Sequence, residues 1–281
     1  MQKIQIRKMS PSDFGFAIRL TDTMNWDLTE KDFRFMTRLE PKGCFAVLDG
    51  AKRVGIITTA HFGRIGWIGN VIVKTQYRSK GFGALLVKHA IDYLRKKSVS
   101  TIGLYAYLDT VRFYEKLGFK ADSNFIRLAR QSSTANWRAA SVRRMTERDL
   151  KDVVGFDEQC MGWNRGRLLK RIFTDSKDLC YVALDDNELV GFIMADWYRQ
   201  EIGPCLFGVG NAESVINLFK AVLSRLSGDE VRTGVSENQQ DIVKTLREMG
   251  FQEEFKVVRM YFGEVPDEAG CLLAMESLER G

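Results

Sequence analysis

The chain repeats itself. Ile6-Arg7-Lys8-Met9-Ser10-Pro11-Ser12-Asp13-Phe14 returns 136 residues later as Val142-Arg143-Arg144-Met145-Thr146-Glu147-Arg148-Asp149-Leu150. At the same spacing Phe45-Ala46-Val47-Leu48-Asp49 returns as Tyr181-Val182-Ala183-Leu184-Asp185, and Val54-Gly55-Ile56-Ile57 as Val190-Gly191-Phe192-Ile193. Leu117-Gly118-Phe119 returns as Met249-Gly250-Phe251 at a spacing of 132. Three ordered echoes at a nearly constant offset imply an internal duplication. Whatever fold the chain adopts, a unit of about 140 residues must be able to build it twice, and that length suits one core.

The echoes predict local structure. The first reads as a short strand leading into a helix, with Ser10 or Thr146 as cap and Pro11 in the first helical turn. The second reads as two apolar strands joined by a polar turn, a hairpin. Within the first half we expect a strand over about 4–8 and helices over about 11–20 and 29–39. Strands near 44–49, 53–60 and 67–74 follow, then a helix over about 83–97, a strand over 101–107, a helix over 110–117 and a final strand or two over 119–129. This is a mixed α/β layer, a hairpin followed by a strand-helix-strand unit. The polar, aperiodic Gln131-Ser132-Ser133-Thr134-Ala135-Asn136 marks a linker, assigned to 131–140, between domains 1–130 and 141–281.

Composition removes several kinds of chemistry. Only two histidines are present, His61 and His89, so a multi-histidine metal site is impossible and no metal is expected. We read His61 as a turn residue and His89 as a helix-surface or packing residue. No Gly-x-Ser-x-Gly accompanies either histidine. The five cysteines (Cys44, Cys160, Cys180, Cys205, Cys271) are widely spaced and read as reduced, mostly buried thiols. No apolar run approaches the roughly 18 residues that span a bilayer, and the first residues lack a signal-peptide core, so a cytosolic protein without membrane contact is expected. Charge is asymmetric. Residues 1–130 carry 23 Lys+Arg against 11 Asp+Glu, and the remainder carry 19 against 25. A basic half suits an anionic ligand. Nucleic acid is the rival, but the longest basic run, Arg95-Lys96-Lys97, falls where a helix should end and meets its negative dipole end.

The most informative stretch runs from Trp67-Ile68-Gly69-Asn70-Val71-Ile72-Val73 through Lys74-Thr75-Gln76-Tyr77-Arg78-Ser79-Lys80-Gly81-Phe82-Gly83 to Ala84-Leu85-Leu86-Val87. It reads as strand, basic loop, helix, with Val87, Ala90, Ile91 and Leu94 facing a sheet. A helix opening near Gly83 leaves its first N–H groups unsatisfied, which makes an anion site. Gly81 and Gly83 let backbone approach a phosphate, and Arg78 and Lys80 add charge. A P-loop is excluded because Val73 stands where its second glycine belongs. A dinucleotide fingerprint is excluded because Leu86 stands at its third glycine position.

Arg78-x-x-Gly81-x-Gly83 after an apolar strand resembles the Arg/Gln-x-x-Gly-x-Gly/Ala signature of the GNAT acyltransferase superfamily. Phe113-Tyr114-Glu115-Lys116-Leu117-Gly118-Phe119 resembles that family's second motif, a tyrosine-bearing helix leading into a Gly-Phe turn. The resemblance implies that the amides of Ser79, Lys80, Gly81, Phe82, Gly83 and Ala84 bind the acetyl-CoA pyrophosphate. It implies that Val71, Ile72 and Val73 lie on a splayed strand that bonds the pantetheine arm, and that Tyr114 lies near the thioester sulfur. The family often has Asn seven residues before this tyrosine. Tyr107 stands there instead and is a candidate contact to the arm.

The resemblance predicts an N-acetyltransferase. An attacking amine must be neutral, so a base is needed, and an expelled thiolate gains from a proton donor. Tyr114 is the candidate acid. Ile72 and Val73 amides would polarise the thioester carbonyl. Asp27 is the candidate base, with helix capping as its alternative, and Asp109 stands behind it on the same terms. In the second half, Cys205-Leu206-Phe207-Gly208-Val209-Gly210-Asn211-Ala212-Glu213-Ser214 keeps no phosphate signature, and Leu246 replaces the tyrosine. The whole chain thus resembles a tandem GNAT protein with a degenerate second copy, which could complete an acceptor pocket or serve structure. The expected partners are acetyl-CoA and an amine of a small molecule or protein. A homodimer is compatible with the sequence. A CoA-binding module without turnover is the alternative function.

Overall fold

The computed structural model describes residues 4–131, 142–208, 212–226, 228–266 and 268–281. The expected linker lies outside them except for Gln131, as do Val209, Gly210 and Asn211 of the second copy's loop.

In the first half, β1 (Ile4–Lys8), α1 (Phe14–Asp22), α2 (Glu30–Leu39), β2 (Phe45–Asp49), β3 (Lys52–Phe62) and β4 (Ile65–Val73) precede α3 (Phe82–Arg95). Then come β5 (Thr101–Tyr107), α4 (Val111–Glu115) and β6 (Lys120–Gln131). The second half repeats the order: β7 (Val142–Arg144), α5 (Leu150–Met161), α6 (Gly166–Ser176), β8 (Tyr181–Asp185), β9 (Glu188–Asp196), β10 (Glu201–Phe207), α7 (Ala212–Leu223), β11 (Glu230–Ser236), α8 (Gln240–Glu248) and β12 (Gln252–Phe262). A short strand, β13 (Leu272–Ala274), has no counterpart in the first half.

The echoes are the same structure made twice. Arg7 grips Asp13 with two bonds of 2.7 Å, and Arg143 grips Asp149 with bonds of 2.8 and 2.7 Å. Each acid also accepts the backbone N–H of the capping residue, Ser10 at 2.8 Å and Thr146 at 2.7 Å. The two hairpins share a register, Val47 opposite Gly55 and Ala183 opposite Gly191, with an irregularity at the next residue in both. Val87, Ala90, Ile91 and Leu94 of α3 are buried as the periodicity predicts. Burying each larger aliphatic chain favours the fold by about 1.5–3 kcal/mol.

One feature exceeds simple tandem repetition. The strands form a continuous sheet in the order β1-β2-β3-β4-β5-β12-β6-β11-β13-β10-β9-β8-β7. The last full strand of each half has crossed to the other. β12 pairs along β5 from Val257↔Tyr107 to Phe262↔Ile102. β6 pairs along β11 from Glu230↔Gln131 to Ser236↔Phe125. β6 and β12 pair with each other at the centre, so the two sheets share one seam.

The sequence pattern predicts a turn at His61. The residue lies instead inside β3, two residues before the turn, where its ring meets the buried Glu40 carboxylate. The strand runs longer than expected because Ala60, His61 and Phe62 still pair with Trp67, Gly66 and Ile65. His89 is a packing residue, edge-on to Phe45 at 4.5 Å.

Candidate active site

β4 and β5 run parallel and pair only from Ile65↔Thr101 to Trp67↔Gly103. Beyond Trp67 they diverge, so strand edges from Ile68 to Val73 face a gap rather than a neighbour. The cause is local. Between Ile56↔Ile72 and Thr58↔Gly69 the register slips by one residue, and Asn70 takes a left-handed φ of 50°. A bulge of this kind bends a strand and raises its twist. The Asn70 amide donates to Thr58 Oγ1 at 3.1 Å and fixes the distortion.

The gap opens into a cavity of about 1220 Å³. Val71, Ile72, Val73, Arg78, Tyr107, Tyr114, Asp27 and Asp109 all line it, so the structure brings these predicted residues together. Ser79 to Ala84 follow Arg78 just beyond its lining. Gly81 caps α3 with φ 83°, a conformation in which any other residue is strained. The helix starts at Phe82. Among the described residues none of the backbone N–H groups from Ser79 to Ala84 meets a protein acceptor; the first to do so is Leu85, on Gly81 O at 3.0 Å. Those donors and the positive helix end form a ready anion site. Arg78 Nε donates to Val73 O at 3.1 Å, tying the loop to the splayed strand.

Tyr114 is buried on α4 and packs edge-on to Phe113 and Phe119. Burial pushes its phenol well above the ordinary tyrosine value, so it stays protonated. Its hydroxyl has no hydrogen bond among the described residues. Tyr107 lies flat against Trp26, with ring centres 6.3 Å apart. Asp27 is exposed, with φ 53°. It does not cap α2, because Thr29 and Asp32 do so, the Thr29 N–H donating to Asp32 Oδ2 at 2.8 Å. Among the described residues neither Asp27 nor Asp109 is engaged in a hydrogen bond or ion pair.

The far wall is not legible in the sequence. Arg127 from β6, Glu254 and Phe255 from β12, and Glu201 from β10 line the cavity with Arg199 and Glu279. No motif marks them, because strand exchange and the C-terminal tail bring them in from distant segments.

The second half treats the matching gap differently. β10 and β11 pair in parallel only at Glu201↔Arg232 and Ile202↔Thr233, then diverge as β4 and β5 do. Here β13 fills the space, with Cys205↔Ala274 on one side and Val235↔Ala274 on the other. The chain's own backbone satisfies edges that remain open in the first half. Leu246, fully buried, takes the place of Tyr114.

Family models match both halves of the chain. Residues 11–119 match the acetyltransferase (GNAT) family, and residues 153–273 match an acetyltransferase (GNAT) domain. The chain belongs to the GNAT family, as a tandem protein. A holothin acyltransferase of Pseudoalteromonas sp. (strain SANK 73390) is 26% identical over 263 residues, 91% of this chain and 87% of that protein. An uncharacterized N-acetyltransferase of Bacillus subtilis (strain 168) is 24% identical over 78% of each chain. In fold, a putative acetyltransferase from Pyrococcus horikoshii superposes with a TM-score of 0.83 at 18% identity, covering 100% of this chain and 97% of its own. A tandem GNAT protein from the clavulanic acid biosynthesis pathway superposes with a TM-score of 0.65 at 14% identity, covering 95% and 100%. Among the described residues no helix is long and apolar enough to cross a membrane, and no group of three or more His, Cys, Asp or Glu could hold a metal ion.

Proposed function

We propose that this GNAT protein is an acetyl-CoA-dependent N-acetyltransferase that moves an acetyl group to a primary amine of a small molecule or protein by direct attack in a ternary complex. The observation that carries the reading is a continuous path. Unsatisfied amides at the start of α3 lead through Arg78 to the open edge of β4, and the edge leads to a protonated phenol. On this reading Ser79 to Ala84 hold the pyrophosphate, with Arg78 and Lys80 adding charge. Val71 to Val73 and Tyr107 flank the pantetheine arm. Residues 1–130 carry the chemistry, and 141–281 supply the acceptor wall. Two relatives bearing acyltransferase names over most of this chain's length support it.

Bound acetyl-CoA supplies an activated acyl carbon. The Val73 amide, on the open edge of β4, draws electron density from its carbonyl oxygen. An alkylamine arrives protonated, with a pKa of about 10, and must lose a proton. Asp27, exposed and unengaged, relays it to solvent. The nitrogen lone pair then forms the N–C bond while the C–S bond breaks. The sulfur leaves with that bond's electrons and takes a proton from Tyr114, the acylated nitrogen gives up its second proton to water, and water returns one proton to the phenol. An amine panel assayed for thiol release in the presence of acetyl-CoA tests the reading. Acetyl-CoA binding with no thiol release from any amine would leave a binding module in its place.

A further inference from the structure

The segment after β13 does not trail into solvent. Met275 N donates to Gly234 O at 2.8 Å, and Ser277, Glu279, Arg280 and Gly281 are buried. Arg165, itself buried against Asp157, donates to the Gly281 carbonyl at 2.9 Å. Arg280 binds Glu276 through bonds of 2.8 and 2.7 Å. So held, the tail crosses β4 at Gly69. A Cβ there would fall 2.6 Å from the Glu279 Cα and 2.7 Å from its carbonyl oxygen. Only a residue without a side chain permits this contact. Gly69 is one residue before the Asn70 bulge, so Glu279 lies beside the stretch of β4 that faces the transfer chemistry, and it lines the same cavity.

Its carboxylate is fixed as well as placed. Arg199 lies 3.2 Å from Glu279, 3.5 Å from Glu201 and 3.7 Å from Asp32. Arg127 reaches Glu201 at 2.5 Å and Glu254 at 3.9 Å, and Arg232 joins Glu254 to Glu230. Five carboxylates thus share three guanidinium groups; Glu201, Glu230, Glu254 and Glu279 line the cavity with Arg127, Arg199 and Arg232, which leaves one negative charge of the network in surplus there. Burial alone would raise the Glu279 carboxyl, but Arg199 and Arg280 outweigh it and hold it at about 2. A group so acidic is a poor proton acceptor near neutrality and a permanent counter-charge.

We infer that Glu279 is an acceptor-binding residue that recognises the positive charge of an alkylammonium substrate, and that the tail and Arg199 position it. This rests on the proposed acetyl transfer and names its substrate class: amines that arrive as cations, not weakly basic arylamines. The carboxylate draws the ammonium ion to β4 and balances the positive nitrogen formed as the N–C bond closes. Proton removal falls to a different group.

The test uses the full chain loaded with CoA. n-Butylammonium and aniline, cationic and neutral near pH 7, are titrated by calorimetry into wild type, Glu279→Gln and Glu279→Asp. Their acetylation by acetyl-CoA is followed separately. The inference expects Glu279→Gln to weaken n-butylammonium binding and raise its KM by about tenfold or more. Aniline and CoA affinity should stay within about twofold, and Glu279→Asp should recover most of the loss. Equal losses for both amines, or none for either, overturn it, as does a wild type that binds n-butylammonium no better than aniline. If the ammonium selectivity depends on Glu279 but nothing is acetylated, the inference stands and the transfer reading fails. If n-butylamine is acetylated and Glu279→Gln changes neither KM nor affinity, the reading stands and the inference fails.

Discussion

Tyr114 packs its ring between Phe113 and Phe119, while its hydroxyl makes no hydrogen bond among the described residues and faces the cavity that it lines. Proton donation by a placed side chain contributes typically 10²–10⁴-fold, so Tyr114→Phe should lower kcat by about 10²-fold or more. Acetyl-CoA affinity by calorimetry should change little. A drop in affinity with kcat intact would make Tyr114 a packing residue. Glu279 makes a second residue-scale prediction. Its folded pKa of about 2 lies below the ordinary glutamate value of about 4.3. Its contribution to stability is therefore present above about pH 4 and is lost as pH falls towards 2. Denaturant midpoints measured across that window should fall less steeply for Glu279→Gln than for wild type. At this scale the echoed phrases and their capping residues were legible in the sequence, and the structure adds the Arg7–Asp13 and Arg143–Asp149 grips at matching places in them. Arg199, Glu201 and Glu279 were not legible, since spacing along the chain says nothing of a tail folded back across β4.

The start of α3 is where, on the proposed reading, an element carries function. Its glycines differ in kind. Gly81 holds a left-handed backbone with open space around it, so Gly81→Ala should destabilise by about 1 kcal/mol through strain alone and weaken acetyl-CoA binding by displacing the first amides. At Gly83 an added Cβ would meet the Phe113 ring at 3.4 Å, an ordinary contact, so Gly83→Ala should fold with near-native stability. Thermal melts and acetyl-CoA titrations of the two variants check both. The helix, its face and the preceding strand could be read from period and motif. The bulge at Asn70 could not, because it comes from a one-residue slip against β3 that both strands' patterns tolerate.

At the scale of the molecule the halves are not separable. β6 lies between β11 and β12, and β12 lies between β5 and β6. A fragment ending near residue 136 would expose the edge of β5 and leave β6 without partners, and such edges invite aggregation. Either half expressed alone should be insoluble or unfolded, while the two co-expressed should reassemble with acetyl-CoA binding restored. Two independently folded halves by circular dichroism would contradict the exchange. The duplication announced two units, but echoes report only what is alike, and the crossing of β6 and β12 leaves each strand's own pattern unchanged. The same view explains why only one half should bind cofactor: β13 occupies the second gap from within the chain. The direct measurement is a crystal structure with acetyl-CoA. The account predicts one molecule per chain, its diphosphate on the Ser79 to Ala84 amides, its arm along Val71 to Val73 and its sulfur beside Tyr114. A diphosphate bound elsewhere, or a second molecule displacing β13, would contradict it.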